Sequence, residues 1–346
     1  MIRVLVAEDA AVTREYLVAL LGDDHELEVV GAARDGLEAM EQTRQHRPDV
    51  IVMDIHMPRM DGLAATRGIM AELPTPIVLV TAHGDPADAA LSFEAIAAGA
   101  LTVVGLPAGP GAIDQAESTR ELVQTVKLMA AVKVVRRWPR REARVEPALP
   151  AAVDRRARVV AIGASTGGPA ALAQILGNLP TTLAAPVLIV QHITPGFAAG
   201  LADWLRTQTA LTVRLARADE PTRPGWVYVA PDGAQMGIGP DGRIRVTACQ
   251  GDDALCPSAS HLFESAAAAY GGSAMGVLLT GMGRDGAAGL RRLRLAGGIT
   301  VAQDEATSVV FGMPGEAVRL GAAEHVVPLE RIAVLIRSAA AREETA

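Results

Sequence analysis

Up to about residue 130, short β-branched runs alternate with segments whose apolar positions recur three and four residues apart. The runs are IRVLVA from Ile2, LEVVGAA from Leu27, DVIVMD from Asp49, PIVLVT from Pro76 and ALTVV from Ala100. Five such strand–helix units predict a doubly wound parallel sheet. The texture then changes. Arg136 to Arg158, RRWPRREARVEPALPAAVDRRAR, carries eight Arg and three Pro with no sustained period, and reads as an interdomain linker. From Val159 a second alternating region begins, with buried-type strands VVAIG, PVLIV, GVLLT and GITVAQ. Between them RPGWVYVAPDGAQMGIGPDGRIRV, full of P-G, D-G and G-P signals, predicts a β-hairpin excursion.

Composition fits this layout. Half of the 346 residues are apolar but only 3% are aromatic, so the cores must be built from Ala, Val, Leu and Ile, as in covered parallel sheets. The formal net charge of −7 argues against a dominant nucleic-acid footprint while leaving room for local patches, and no helix-turn-helix pattern follows the linker, which weighs against a DNA-binding output. No apolar run approaches the roughly 18 residues of a spanning helix. The opening MIRVLVAED reaches two acids too early for a signal peptide, so a cytoplasmic address and no membrane insertion are expected. Cys249 and Cys256 lack a metal-type spacing with nearby His and read as free thiols.

In open parallel sheets function collects at the carboxyl ends of the strands. In the first region those ends carry Glu8 and Asp9, then Asp54, then Thr81. Three carboxylates at one sheet edge repel one another unless a hard cation sits among them, and Mg²⁺ suits oxygen ligands. Asp54 is then a candidate phosphoryl acceptor, with the Thr81 hydroxyl facing the incoming oxygens. The motifs VAED, DVIVMDIHMPRMDG and VTA resemble the receiver domain of two-component response regulators over residues 1–122, a flavodoxin-like fold. The resemblance implies Mg²⁺ at Glu8, Asp9 and Asp54, phosphorylation of Asp54 and a switch role for Thr81. One position departs: VVGLP places Leu106 where receivers carry a lysine. Leu106 cannot pair with a carboxylate or phosphoryl group, so both ordinary phospho-switching and phosphorylation-independent regulation stay open.

The same census in the second region finds Ser165 in AIGASTGGP, His192 after PVLIVQ and Asp285 in GMGRDG. A glycine-rich strand-to-helix turn can cradle a phosphate or expose a nucleophile. Here it lacks both the P-loop ending and G-x-G-x-x-G spacing, and the next strand ends in His192 rather than an acid for a ribose. Taken singly, Ser165 reads as a helix cap, His192 as a half-buried histidine and Asp285 as a turn residue. Together at three strand ends they supply a nucleophile, its base and the carboxylate that orients the base.

AIGASTGGP, VQHITPGF, LLTGMGRDGAAGL and AQDEATSVVFGMP resemble the catalytic domain of the protein-glutamate methylesterases of bacterial chemotaxis. The resemblance implies a Rossmann-like parallel α/β serine hydrolase over 158–346, joined to the receiver by a helical, Arg-Pro-rich linker at 123–157. It implies Ser165, His192 and Asp285 as the triad, the Met282 N–H at the oxyanion and Thr166 lining the pocket. No cofactor is implied for the esterase. The expected partners are methyl-accepting chemotaxis receptors as substrate and a chemotaxis histidine kinase, with the protein a monomer whose receiver packs over the hydrolase mouth until signalled. A catalytically silent receptor-binding module is the rival reading. Family members carry histidine after APG where this chain has Ala234 and Gln235, a difference expected to bear on receptor choice. His261, on a helical pattern, is expected to serve packing or to lie at the surface rather than to take part in catalysis.

Overall fold

Both alternating regions form parallel sheets, and both sheets reverse their winding where the candidate residues lie. The computed structural model describes residues 1–81, 86–109, 112, 115–132, 134, 155–249 and 255–341. The chain divides into two units, residues 1–144 and 145–346. In the first, the elements are β1 (Ile2–Ala7), α1 (Ala11–Gly22), β2 (Leu27–Ala33), α2 (Gly36–His46), β3 (Val50–Asp54), α3 (Gly62–Glu72), β4 (Ile77–Thr81), α4 (Pro86–Ala98), β5 (Thr102–Gly105) and α5 (Gln115–Ala130). The sheet order is β2-β1-β3-β4-β5, all parallel, so winding reverses between β1 and β3. All five expected strands are present. β3 and β4 are buried almost throughout, because helices cover both faces and every side chain of such a strand meets apolar neighbours.

Two helices of this unit begin where short polar side chains take up free amides. Asp35 caps α2 by accepting from the Glu38 N–H, and Asp61 caps α3 by accepting from the Ala64 N–H. The Asp61 cap fixes the turn after β3 that carries Asp54. Most of the expected linker, residues 133 and 135–154 with the greater part of the Arg-Pro segment, lies outside the described residues; α5 covers its start as far as Ala130.

The second unit contains β6 (Val159–Ala164), α6 (Gly168–Gly177), β7 (Val187–Gln191), α7 (Ala198–Gln208), β8 (Thr212–Leu215), β9 (Trp226–Val229), β10 (Ala234–Ile238), β11 (Ile244–Ala248), α8 (Ala259–Tyr270), β12 (Ala274–Leu278), α9 (Ala287–Leu295), β13 (Ile299–Gln303), α10 (Met313–Arg319), β14 (His325–Val327) and α11 (Leu329–Ala339). Seven strands form a parallel sheet in the order β14-β13-β12-β6-β7-β9-β8. From β6 the chain winds outward through β7, then returns to β12 on the other side of β6 and winds the opposite way. The switch point therefore falls between β6 and β12. Val159 and Ala161 of β6 join a core with Leu262 and Phe263 of α8, Leu290 and Leu293 of α9, and Met313 of α10.

The expected hairpin excursion is present as the antiparallel pair β10–β11, and one run within the stretch that announced it, β9, instead enters the main sheet parallel to β7 and β8. WVYV is apolar on both faces, and the sheet buries three of its four residues, which an exposed hairpin arm would not. Cys249 and Cys256 are joined as a disulfide rather than free. The end of β11 and the approach to α8 bring their Cα atoms to 6.0 Å, within the span a disulfide bridges.

Candidate active site

The turn after β6 is built to hold Ser165 at the sheet edge. Its backbone N–H donates to the Thr280 carbonyl across the switch point, and its carbonyl accepts from Gly168 N–H and from Gln191 Nε2. Gly167 has φ +78°, a conformation that glycine adopts without penalty, and lets the chain swing directly into α6. The positive end of α6 thus begins three residues after Ser165. Thr166 follows in the turn, half-buried, and its carbonyl accepts from the Thr280 hydroxyl at 2.9 Å. The same hydroxyl bridges to Val310, accepting its N–H at 2.9 Å, so one side chain ties the β6, β12 and β13 loops together.

His192 leaves the adjacent strand β7, its N–H donating to the Ala164 carbonyl. Its Nε2 lies 2.9 Å from Asp285 Oδ2, with side chains only 17% and 8% exposed. Ser165 and His192 follow adjacent parallel strands and are not hydrogen-bonded to each other. The Asp285 carboxylate sits on the N-terminus of α8. Oδ1 accepts from the Ser258 hydroxyl at 2.9 Å and the Ser260 N–H at 3.1 Å, and Oδ2 accepts from the Ala259 N–H at 2.7 Å. Burial alone would raise its pKa, but hydrogen bonds from His192, Ser260 and Ser258 outweigh it and hold the carboxyl far below the ordinary carboxylate range. Met282 is 37% exposed at the same edge, and the side chain of His261 faces solvent on α8.

Sequence reasoning missed the support. Gln191 donates to both the Ser165 and His192 carbonyls, Gln303 accepts the Thr280 N–H, and Ser258 and Ser260 cradle Asp285. Ser258 followed by an apolar helical pattern is an N-cap signal. That the cap also holds Asp285 depends on folding.

The other candidate site lies at the switch point of the first sheet. Glu8 and Asp9 follow β1 and Asp54 ends β3, and each offers an oxygen within 4.8 Å of the others. Burial, then repulsion from Asp54, pushes Glu8 up to about 7, and burial pushes Asp54 up to about 6 despite amide hydrogen bonds from Ile55 and His56. Carboxylates that resist ionisation together, all hard oxygen donors, are the environment a divalent cation relieves, so the residues fit Mg²⁺. Thr81 ends β4, buried, paired with Gly105, and its carbonyl accepts the Leu106 N–H at 2.8 Å. The chain therefore brings Leu106 to the position the sequence suggested, half-buried beside Thr81.

Fold and site define a class: a flavodoxin-like α/β unit with an acidic cluster, followed by a parallel-sheet unit with serine, histidine and aspartate at its switch point. Known proteins give the family. The CheB methylesterase family model matches residues 160–336, and that of the response regulator receiver domain matches residues 4–116. A protein of Nitrosospira multiformis named protein-glutamate methylesterase/protein-glutamine glutaminase is 49% identical, covering 100% of this chain and 99% of its own. A Syntrophus aciditrophicus protein of the same name, numbered 1, is 48% identical over 98% of this chain and 99% of its own. The crystal structure of the Thermotoga maritima CheB methylesterase catalytic domain, 37% identical, matches with a TM-score of 0.50 over 52% of this chain and 98% of that one. The chain belongs to the CheB methylesterase family and carries an N-terminal receiver domain.

Proposed function

We propose that the protein hydrolyses glutamate methyl esters on methyl-accepting chemotaxis receptors, giving glutamate and methanol, and deamidates receptor glutamines by the same route. The observation that carries this reading is the 2.9 Å contact between His192 Nε2 and an ionised Asp285, set beside Ser165 at the sheet's switch point. With Nε2 committed to Asp285, Nδ1 is the nitrogen left to take the Ser165 proton. Ser165 Oγ attacks the γ-carbonyl carbon, and the Met282 N–H with the positive end of α6 stabilises the oxyanion. His192 returns the proton to the departing methoxide, and methanol leaves. Water then attacks the acyl-enzyme, giving a proton to His192, which passes it to Ser165 as glutamate is released. Thr166 lines the pocket. With a glutamine, ammonia is the leaving group. No cofactor takes part in the esterase steps.

The proposed domains are a receiver at 1–122, a linker at 123–157 and the hydrolase at 158–346, acting in the cytoplasm. A chemotaxis histidine kinase supplies the phosphoryl group to Asp54, and Thr81 contacts the transferred oxygens. Mg²⁺, held by Glu8, Asp9 and Asp54, would neutralise the charge of the incoming phosphoryl group. The test is methanol release from methylated receptor. Ser165→Ala is expected to lower the rate by at least ~10⁴-fold. Unchanged release would overturn the esterase reading and favour a silent receptor-binding module.

A further inference from the structure

Gln235 lies on β10, where the family resemblance led to histidine and where receptor contact was expected. It is 8% exposed, and both ends of its amide are spent on one strap of chain. Nε2 donates to the Leu255 carbonyl and Oε1 accepts the Ser258 N–H, each at 2.8 Å. The strap leads directly into α8. Ser258 is the N-cap of that helix, accepting the His261 N–H, and its hydroxyl donates to Asp285. The next two amides, Ala259 and Ser260, donate to the same carboxylate. Three of the donors that seat Asp285 therefore belong to the segment whose position Gln235 sets. The arrangement closes on itself, since the Ser260 hydroxyl accepts the Gly286 N–H next to Asp285.

We propose that Gln235 is a positioning residue of the esterase: by clamping Leu255 and Ser258 it fixes the start of α8, and through it the Asp285 carboxylate against His192. The proposal rests on the reading of Ser165, His192 and Asp285 as the triad. A buried amide with two satisfied partners three residues apart leaves little play in the strap. Displacement by a fraction of an ångström passes straight to Asp285, and base alignment is a property to which the rate is steeply sensitive.

The test uses the full chain with Gln235→Met, which keeps length and bulk but removes both hydrogen bonds. The expected result is a kcat for methanol release about tenfold lower at unchanged KM, with the same fall in the rate at which a small fluorophosphonate labels Ser165. In an Asp285→Ala background Gln235→Met is expected to have no further effect, because the carboxylate it positions is gone. Equal losses in both backgrounds, a change confined to KM, or an unchanged labelling rate would overturn the proposal. Should Gln235→Met fail to fold, the clamp is tested with Gln235→Glu, which keeps the acceptor for the Ser258 N–H but loses the donor to the Leu255 carbonyl. Gln235→Glu is expected to lower kcat severalfold at unchanged KM, and a wild-type kcat in Gln235→Glu overturns the proposal. A wild-type chain that the probe leaves unlabelled overturns the triad reading itself, whereas a labelled wild type with an equally labelled variant removes only the role of Gln235.

Discussion

Three partly buried carboxylates show how local partners decide the sign of a pKa shift. Asp285, seated on helix amides and against His192, is held ionised; Glu8 and Asp54, buried first of all and then close to other carboxylates, resist ionisation. The consequences for stability run in opposite directions. A depressed carboxylate contributes stability above its unfolded pKa, which here is lost only as pH falls below about 4. Raised carboxylates contribute stability that is full below their unfolded values and is lost as pH rises through about 6 for Asp54 and about 7 for Glu8. Calorimetry in EDTA should therefore show the receiver transition moving up as pH is lowered from 8 to 5, while the hydrolase transition gains nothing from Asp285 over the same range. Asp54→Asn, which removes one of the repelling charges, is expected to raise the receiver transition at pH 8 in EDTA. It should also abolish the stabilisation that Mg²⁺ gives the unaltered chain; a persisting Mg²⁺ effect would remove Asp54 from the ligand set.

At the scale of elements, the site depends on loops from different strands approaching closer than side chains allow. A Cβ on Gly281 would lie 2.4 Å from Met313 Sδ and 2.6 Å from Ser165 Cβ. Gly281→Ala is thus expected to destabilise the hydrolase unit by about 1–3 kcal/mol, the usual range for overpacking, and to lower kcat by displacing Ser165. Thermal unfolding and methanol release check the two effects, and an unaltered kcat would show that the turn carrying Ser165 absorbs the methyl group. Such contacts explain what was legible in the sequence. Ser165, His192 and Asp285 stood out because each follows a long apolar run, and strand ends on one side of a parallel sheet converge. The five receiver strands were legible for the same reason. β8 and β14, at opposite edges, have only four and three residues and too little pattern to register. β9 was misplaced because its flanking turn signals are local, whereas its parallel partners lie elsewhere in the chain. Gln235, Ser258, Thr280 and Gln191 act through hydrogen bonds between segments brought together by folding, and polar residues in isolation give no sign of such partners.

For the whole molecule, the decisive position is Leu106. A lysine there would give the phosphorylated state a charge-assisted hydrogen bond, worth about 1.5–3 kcal/mol. Any bias a phosphoryl group exerts on the hydrolase equals its differential interaction with the two signalling states. Removing that contact shrinks the bias by roughly 10–100-fold in the switching equilibrium. On the proposed reading, what remains would come from a cation at Glu8, Asp9 and Asp54 and from Thr81, whose backbone already holds Leu106 in register. The full-length protein is therefore expected to answer a small-molecule phosphodonor with Mg²⁺ by only a modest rise in methanol release. Leu106→Lys should give a larger rise without changing the rate measured in the absence of donor, and Asp54→Ala should cancel the response in both chains. Equal responses with leucine and lysine would mean that the signal passes through Thr81 and the metal cluster alone. A donor response that survives Asp54→Ala would move the acceptor elsewhere in the receiver.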